Sequence, residues 1–529
     1  MKTIPVVASL LLCLTLSAQA AGSSGNDDNR DGRVQPNAST FTNPVIYADV
    51  PDPDIIRVGS DFYMVSTTMH LMPGAPIMHS KDLVSWEIIS YVFDEIKDSP
   101  LYDLDGGNVY GQGQWATSLR YREGKFYVFF ATNRPQKSYI YATDNPAGKW
   151  EKLAEFDRNY HDASLLFDDD GRVYLSYVEG QIKIVELSSD LTGIKTGGLN
   201  ASVIDGKAQG YGGLFEGTHL NKYNGKYYIF IIWWPRGGIR TQLCFRSDRI
   251  EGPYESKVML SDTLDLQGHG VAQGGVVDME DGRWFGFLFQ DHGAVGRVPV
   301  LMPCRWEDGW PVLGDRNGKV PKTMEKPAHG YPEAPLVVSD DFDTGNLALC
   351  WQWNHNPDNR LWSLAEREGY MRLRTEKVVE NIFQARNILS QRTEGPRCSG
   401  AIGMDVSQMK SGDVAGLGAY CAEPGLISVV ADDSAKFVVM TDRGEEKSRV
   451  ALTGSTVCLR MDCDFTTDRA SFYYSLDGER WTPLGAEFRM IYNLAHFMGN
   501  RFAIYNYATK QPGGYVDIDF FHYTKTLIK

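Results

Sequence analysis

The sequence predicts an all-β protein in two parts, a five-bladed β-propeller followed by an antiparallel β-sandwich. Three observations carry this. One hairpin plan recurs five times in the first 320 residues. No strong 3.6-residue apolar period marks helices. A proline-interrupted stretch, Pro321 to Pro335, then separates the repeats from a second region of short strands.

Each repeat is a short apolar strand, a tight glycine or polar turn and an aromatic strand. The five run 52–56 to 62–65, 115–119 to 126–130, 161–166 to 173–177, 215–220 to 227–231, and 273–277 to 284–289. They recur at roughly 45–65 residue intervals, near the period of propeller blades. A set of unrelated hairpins in a large β-protein is the competing reading.

Register brings chemistry into the repeat. Glu216, Asp162 and Trp115 each precede their turn glycine by nine residues, and Asp52 precedes Asp61 by the same nine. If inner strands begin at one end of a central channel, these positions converge there. Three carboxylates and an indole would ring one pocket. Hydrogen bonding to strand-end backbone is the plainer role for each acid alone. The turn acids Asp168, Asp169, Asp170 and Asp281 read as solvated loop residues.

Taken in order, residues 1–20 read as a secretory signal, with Lys2, an apolar run from Val6 to Leu16 and Ala18-Gln19-Ala20. Cys13 follows Leu12 rather than a small residue, which argues against lipoprotein processing. Residues 21–38, rich in Gly, Ser, Asn and Asp, read as a disordered tether. The propeller is expected over 39–320, a linker over 321–338 and the sandwich over 339–529. Within the propeller, Met72-Pro73-Gly74-Ala75-Pro76 reads as a turn, and the run from Ile77 to Trp86 as an outer strand closed by tryptophan. Lys149-Trp150-Glu151 and Gly252-Pro253-Tyr254 read as similar closures.

Composition narrows the partners. The net charge is -14 and no long basic run is present, so neither nucleic acid nor an anionic membrane surface is suggested. No run after the signal is long and apolar enough to span a bilayer. Trp 12, Tyr 27 and Phe 24 suit stacking surfaces for neutral sugars as well as β-structure. The seven cysteines after the signal are odd in number and scattered, so no disulfide framework is implied, though Cys458 and Cys463 are spaced to pair. No zinc pattern is present.

These residues resemble glycoside hydrolase family 43. The resemblance rests on Asn43-Pro44-Val45, Pro51-Asp52-Pro53-Asp54-Ile55-Ile56-Arg57 and His79-Ser80-Lys81-Asp82-Leu83-Val84. His161-Asp162-Ala163-Ser164-Leu165, Phe215-Glu216-Gly217-Thr218-His219, Gly268-His269-Gly270 and Gly296-Arg297 complete the first region. Trp351-Gln352-Trp353-Asn354-His355 and Asn506-Tyr507-Ala508-Thr509-Lys510 resemble the appended concanavalin A-like sandwich of the β-xylosidase and arabinofuranosidase branch.

The resemblance implies an inverting, exo-acting glycosidase that removes terminal α-L-arabinofuranose or β-D-xylose. Asp52 is then the general base and Glu216 the general acid, with Asp162 orienting the acid and raising its pKa. Trp115 is implied as a wall of the terminal subsite and Arg297 as a sugar-lining residue. His269 is implied near the axis, in substrate binding or an indirect calcium or water cluster. No cofactor is required beyond a possible structural calcium. The chemistry needs these types: an acid for the leaving oxygen, and a carboxylate about 6.5–9.5 Å away to activate water in an inverting site. Asp54 stands where many relatives carry serine, and Ala163 where proline is frequent. A non-catalytic carbohydrate-binding propeller is the alternative. A retaining fructoside-cleaving propeller is excluded by its missing Asn-Asp-Pro and Glu-Cys motifs. The signal implies export to the periplasm or beyond.

Overall fold

The structure is a computed structural model that describes residues 39–527. The expected signal and tether lie outside the described residues. Five four-stranded sheets follow one another along the chain, each with its strands paired antiparallel in chain order. Blade I is Asp54–Val58, Asp61–Val65, Gly74–Ser80 and Glu87–Phe93; blade II is Gln114–Arg122, Lys125–Thr132, Lys137–Thr143 and Glu151–Phe156. Blade III is Ser164–Phe167, Val173–Val178, Ile182–Leu187 and Asn200–Ile204; blade IV is Leu214–Tyr223, Lys226–Trp234, Thr241–Ser247 and Glu255–Leu260. Blade V is Val271–Asp278, Trp284–Asp291, Arg297–Glu307 and Trp310–Leu313.

The repeated hairpin is thus the inner pair of strands in every blade. The inner strands adjoin in a ring, with blade V closing against blade I. Between blades, alternating side chains from both sheets form separate apolar layers. Phe230, Cys244, Val271, Leu288 and Val300 fill the space between blades IV and V. Trp86, Trp150 and Tyr254 are buried and each immediately precedes the fourth strand of its blade.

Three stretches differ from the sequence reading. Thr323–Glu325, inside the expected linker, pairs with Thr40–Thr42 and ties the two ends of the propeller together. The segment read as a turn at 72–76 is strand on both sides of Pro73: Leu71–Met72 pairs with Gln352–Asn354 of the sandwich, and Gly74–Ser80 is the third strand of blade I. Proline has no N–H to donate, so it suits the point where the chain leaves one sheet for another. Asp168, read as solvated, is buried, where it accepts a hydrogen bond from the Tyr227 hydroxyl at 2.6 Å and pairs with Lys222.

The second domain packs two sheets face to face. One orders Glu445–Leu452, Lys436–Asp442, Gly425–Ala431, Asp413–Tyr420, Arg501–Ala508, Leu389–Arg392 and Gln352–Asn354, and takes Leu71–Met72 as its last strand. The other centres on Tyr515–Thr524, Arg397–Asp405 and Thr456–Asp464. Ile402, Leu459, Leu417, Ile427, Phe502 and Ile518 form the core between them. Cys463 lies in this core opposite Cys398 on the next strand, whereas Cys458 is an odd number of residues away on the same strand and faces outward. The suggested pairing of Cys458 with Cys463 is therefore not made.

The channel is plugged by a charged knot. Asp54 is buried; its Oδ2 accepts from Arg120 Nη1 at 2.7 Å and from the Leu119 amide at 2.8 Å, while Oδ1 lies 3.3 Å from His219 Nδ1. Arg120 Nη2 reaches Ser164 Oγ at 2.7 Å and the Leu220 carbonyl at 3.1 Å. Four blades meet at this one pair. Burial alone would raise the Asp54 pKa, but Arg120, His219 and the Leu119 amide outweigh it and hold the carboxyl at about 2. A group so depressed stabilises the fold above the ordinary carboxylate range and loses that contribution as pH falls toward 2. Replacing Arg120 with Met leaves Asp54 buried and uncompensated, and should cost about 3–5 kcal/mol in urea denaturation. Adding Asp54→Asn should restore part of the loss. An unchanged midpoint for Arg120→Met would show that the pair does not hold the blades together.

Candidate active site

The inner strands begin at one end of the channel, and an unusual backbone places the acids there. Asp52 and Asp162 both have left-handed φ values, 50° and 47°, and Gln273 at the same register has 69°. Aspartate tolerates this region better than most residues, and such strain persists where surrounding contacts fix it. In blade IV the left-handed residue is Gly217, at φ 77°, one step after Glu216. A Cβ on Gly217 would also sit 3.2 Å from the Gln273 side chain, so glycine fits both needs.

Asp52 is buried, and both of its carboxylate oxygens accept from Arg297 Nη1 at 3.0 Å. Arg297 is only 2% exposed. Its Nη2 donates to the Phe497 carbonyl at 3.2 Å, and its guanidinium carbon lies 4.3 Å from the centroid of the Phe497 ring. Arg297, read from the sequence as a sugar-lining group, is thus largely committed to the base and to the sandwich domain.

Asp162 is buried and accepts the Gly217 amide at 3.0 Å, while its carbonyl accepts the Thr218 hydroxyl at 2.5 Å. These two bonds fix the backbone that carries Glu216. His161 Nε2 lies 3.6 Å from both Glu216 Oε2 and Asp162 Oδ2. Burial pushes the Asp162 carboxyl up to about 6; the His161 charge opposes this, and Glu216 and Asp52 add to it. Asp162 also raises the His161 pKa to about 9, against burial, with help from Glu216 and Asp52. His161 is therefore a cation at neutral pH, set beside two carboxyls.

Two aromatic rings wall this cluster. The Trp115 indole donates to the Gly111 carbonyl at 3.1 Å, and its ring lies 5.4 Å from His161 and 5.5 Å from Phe497 between centroids. Phe497 comes from the sandwich, at φ 54°, on a segment pinned to the propeller. Asp49 Oδ2 accepts the Gly499 amide at 3.0 Å while its Oδ1 accepts the Arg297 amide at 2.8 Å. The Asn500 amide donates to the Ala294 carbonyl at 2.9 Å. A Cβ on Gly499 would lie 2.1 Å from the Val295 carbonyl, so only glycine allows this approach. Near Arg297, the Tyr492 hydroxyl is buried and has no protein hydrogen-bond partner.

His269 stands apart. It is exposed, and its carbonyl accepts from Gln290 Nε2 at 2.7 Å. Among the described residues, one group of three metal-ligating side chains is closely gathered, His161, Asp162 and Glu216, with one ligand atom of each within 4.8 Å of the others. His269 is not in it.

Three carboxylates gathered at one end of a five-bladed propeller agree with the comparisons to known proteins. Residues 41–311 match the model for glycosyl hydrolases family 43, and residues 339–524 match that for the β-xylosidase C-terminal concanavalin A-like domain. The chain belongs to glycosyl hydrolase family 43. It is 30% identical over 548 residues to a β-xylosidase of Formosa agariphila, covering 92% of this chain and 90% of that one. It is 33% identical to a non-reducing end α-L-arabinofuranosidase of Bacteroides ovatus, covering 63% and 65%. Among solved structures, a bifunctional GH43-CE protein of Bacteroides eggerthii superposes with TM-score 0.88 at 46% identity, covering 93% of this chain and 64% of that one. The chain therefore spans about two thirds of that protein's length. This family 43 member is a hydrolase of the xylosidase and arabinosidase type.

The sequence named Asp52, Asp162, Glu216 and Trp115 by register, and the structure gathers all four around one end of the channel. It gave no role to His161, although that residue adjoins Asp162, and it missed Phe497 and Tyr492, which lie far along the chain from Arg297. The sign of the His161 effect is testable. A histidine pKa raised to about 9 contributes stability that is full below its ordinary value of 6.5 and is lost as pH rises to 9. Melting temperature should therefore fall more steeply between pH 6.5 and 9 in the wild type than in His161→Gln. Parallel curves would mean that His161 is not held as a cation.

Proposed function

We propose that this protein is an exo-acting, inverting glycosidase that removes terminal α-L-arabinofuranose or β-D-xylose from plant cell-wall poly- or oligosaccharides after export from the cell. The observation that carries the reading is the joint construction of the pocket. The propeller supplies base and acid, and the sandwich supplies Phe497 against both Trp115 and Arg297. A wall brought from a second domain favours a pocket for a chain end over an open cleft. The names of the Formosa agariphila and Bacteroides ovatus relatives support a xyloside or an arabinofuranoside as substrate.

In this mechanism Asp52 takes a proton from water as the oxygen attacks the anomeric carbon. Glu216 gives its proton to the departing oxygen as the glycosidic bond breaks. The anomeric centre inverts because attack and departure lie on opposite faces. Arg297 fixes the Asp52 carboxylate through its Nη1. Asp162 fixes the Glu216 backbone through the Gly217 amide. No step passes through a metal.

Hydrolysis of nitrophenyl α-L-arabinofuranoside and β-D-xyloside, measured side by side, decides the sugar. Glu216→Gln should lower kcat about 10²–10⁴-fold on an oligosaccharide and much less on an activated aryl glycoside, whose leaving group needs little protonation. Asp52→Asn should lose activity on both, because water must still be activated. Near-normal turnover of an oligosaccharide by Glu216→Gln would overturn the assignment. A folded wild type that binds pentose oligosaccharides and cleaves none would instead be a carbohydrate-binding protein.

A further inference from the structure

The strand that carries Glu216 continues past it to an apolar shelf at the channel mouth. Leu214, Phe215 and Glu216 pair in unbroken register with Trp234, Trp233 and Ile232 of the next strand. Directly opposed residues share a face of the sheet, and the face alternates along the strand. Leu214 and Trp234 therefore lie on the face of Glu216, two residues nearer the mouth, or roughly 7 Å along the strand. Phe215 and Trp233 turn to the other face and pack with Phe245 and Tyr211 in the core between blades III and IV. Ile232, opposite Glu216, is 1% exposed, whereas Leu214 is 40% and Trp234 is 37% exposed.

Trp234 is held rigidly for so exposed a ring. Its Nε1 donates to the Gly238 carbonyl at 2.9 Å, so the indole has no polar need left. The Arg240 guanidinium carbon lies 4.9 Å from its centroid. Arg240 is itself fixed, with Nη1 3.0 Å from Asp291 Oδ1 and a side chain only 12% exposed. Asp291 pairs across the strands with Arg297, which holds Asp52. The shelf is thus tied rigidly to both halves of the catalytic machinery. Contiguous exposed apolar surface rimmed by polar groups is one form that ligand-binding grooves take.

We infer that Trp234 and Leu214 form the subsite for the sugar on the leaving side of the scissile bond. The occupant is a neutral sugar ring of the oligosaccharide released, stacked by its apolar face on the indole. The inference rests on the glycosidase reading: Glu216 protonates the leaving oxygen, so the unit attached to that oxygen must lie beside Glu216. The shelf is the apolar surface on that side. The pocket of Trp115 and Phe497 holds the terminal pentose, and the shelf of Trp234 holds what the pentose is cut from. Leaving-group preference is then set by blade IV alone.

The test compares two substrates that share the terminal pentose. One is a pentose-terminated xylo-oligosaccharide, whose leaving group is a sugar. The other is the glycosyl fluoride of the same pentose, whose leaving group is one atom. For Trp234→Ala, kcat/KM on the oligosaccharide should fall about tenfold or more relative to its change on the fluoride, the scale of a lost aromatic stack within a desolvated contact. Most of the loss should appear in KM. Trp234→Phe should recover much of it, and serves if Trp234→Ala fails to fold by thermal melting. Equal losses on the two substrates, or no loss on either, would overturn the subsite while leaving the glycosidase reading intact. Cleavage of neither substrate by the wild type would overturn both.

Discussion

Four carboxylates crowd one narrow channel, and the structure depends on how their charge is met. Asp54 is answered by Arg120, Asp52 by Arg297, and Asp162 and Glu216 share His161. Each pairing costs desolvation of both partners, which good geometry and further hydrogen bonds offset. The pairings also sort the acids by task. Asp54 is spent on joining blades. Asp52 is held in place by Arg297. Asp162, its pKa raised by burial, anchors the backbone that carries Glu216.

His161 introduces a tension into that arrangement. A general acid must keep its proton, and a nearby carboxylate helps while a nearby cation hinders. Here His161 lies 3.6 Å from both Asp162 and Glu216, so its charge is shared between them. With Arg297 paired to Asp52 and His161 set between Asp162 and Glu216, the charges lining the pocket largely offset one another. Such a balance suits a neutral sugar, whose oxocarbenium-like transition state is the one new charge to be met.

The sandwich is part of the active site rather than an attachment. It lends Phe497 to the pocket, takes Leu71–Met72 of blade I into its own sheet, and is pinned through Asp49 to the amide of Arg297. A shift of either domain would move the base's partner and the pocket wall together. This joint construction supports a pocket for chain ends, while the Trp234 shelf carries the leaving side on the propeller alone.

Much of this was legible in the sequence, because a propeller repeats its plan. The nine-residue spacing from Asp52, Trp115, Asp162 and Glu216 to their turns is a local property of strand length, and symmetry then carries each copy to the same end of the channel. Glycine and aspartate at left-handed positions are likewise local requirements. The sequence also marked the break near Pro321, though not that Thr323–Glu325 returns to pair with Thr40–Thr42. What it did not contain were contacts between chain positions with no shared period. Arg297 reads as a sugar-lining residue and is bound to Asp52; Asp54 reads as a departure from the family's serine and is bound to Arg120; Asp168 reads as solvated and is buried against Lys222 and Tyr227. Phe497 lies 200 residues from Arg297. The sequence alone determined the repeat, the two-domain order and the residue types that face the channel, because strand period and turn chemistry are short-range. Only the tertiary structure decided which charge answers which, and which domain walls the pocket, because those depend on distances set by packing five blades and a sandwich together.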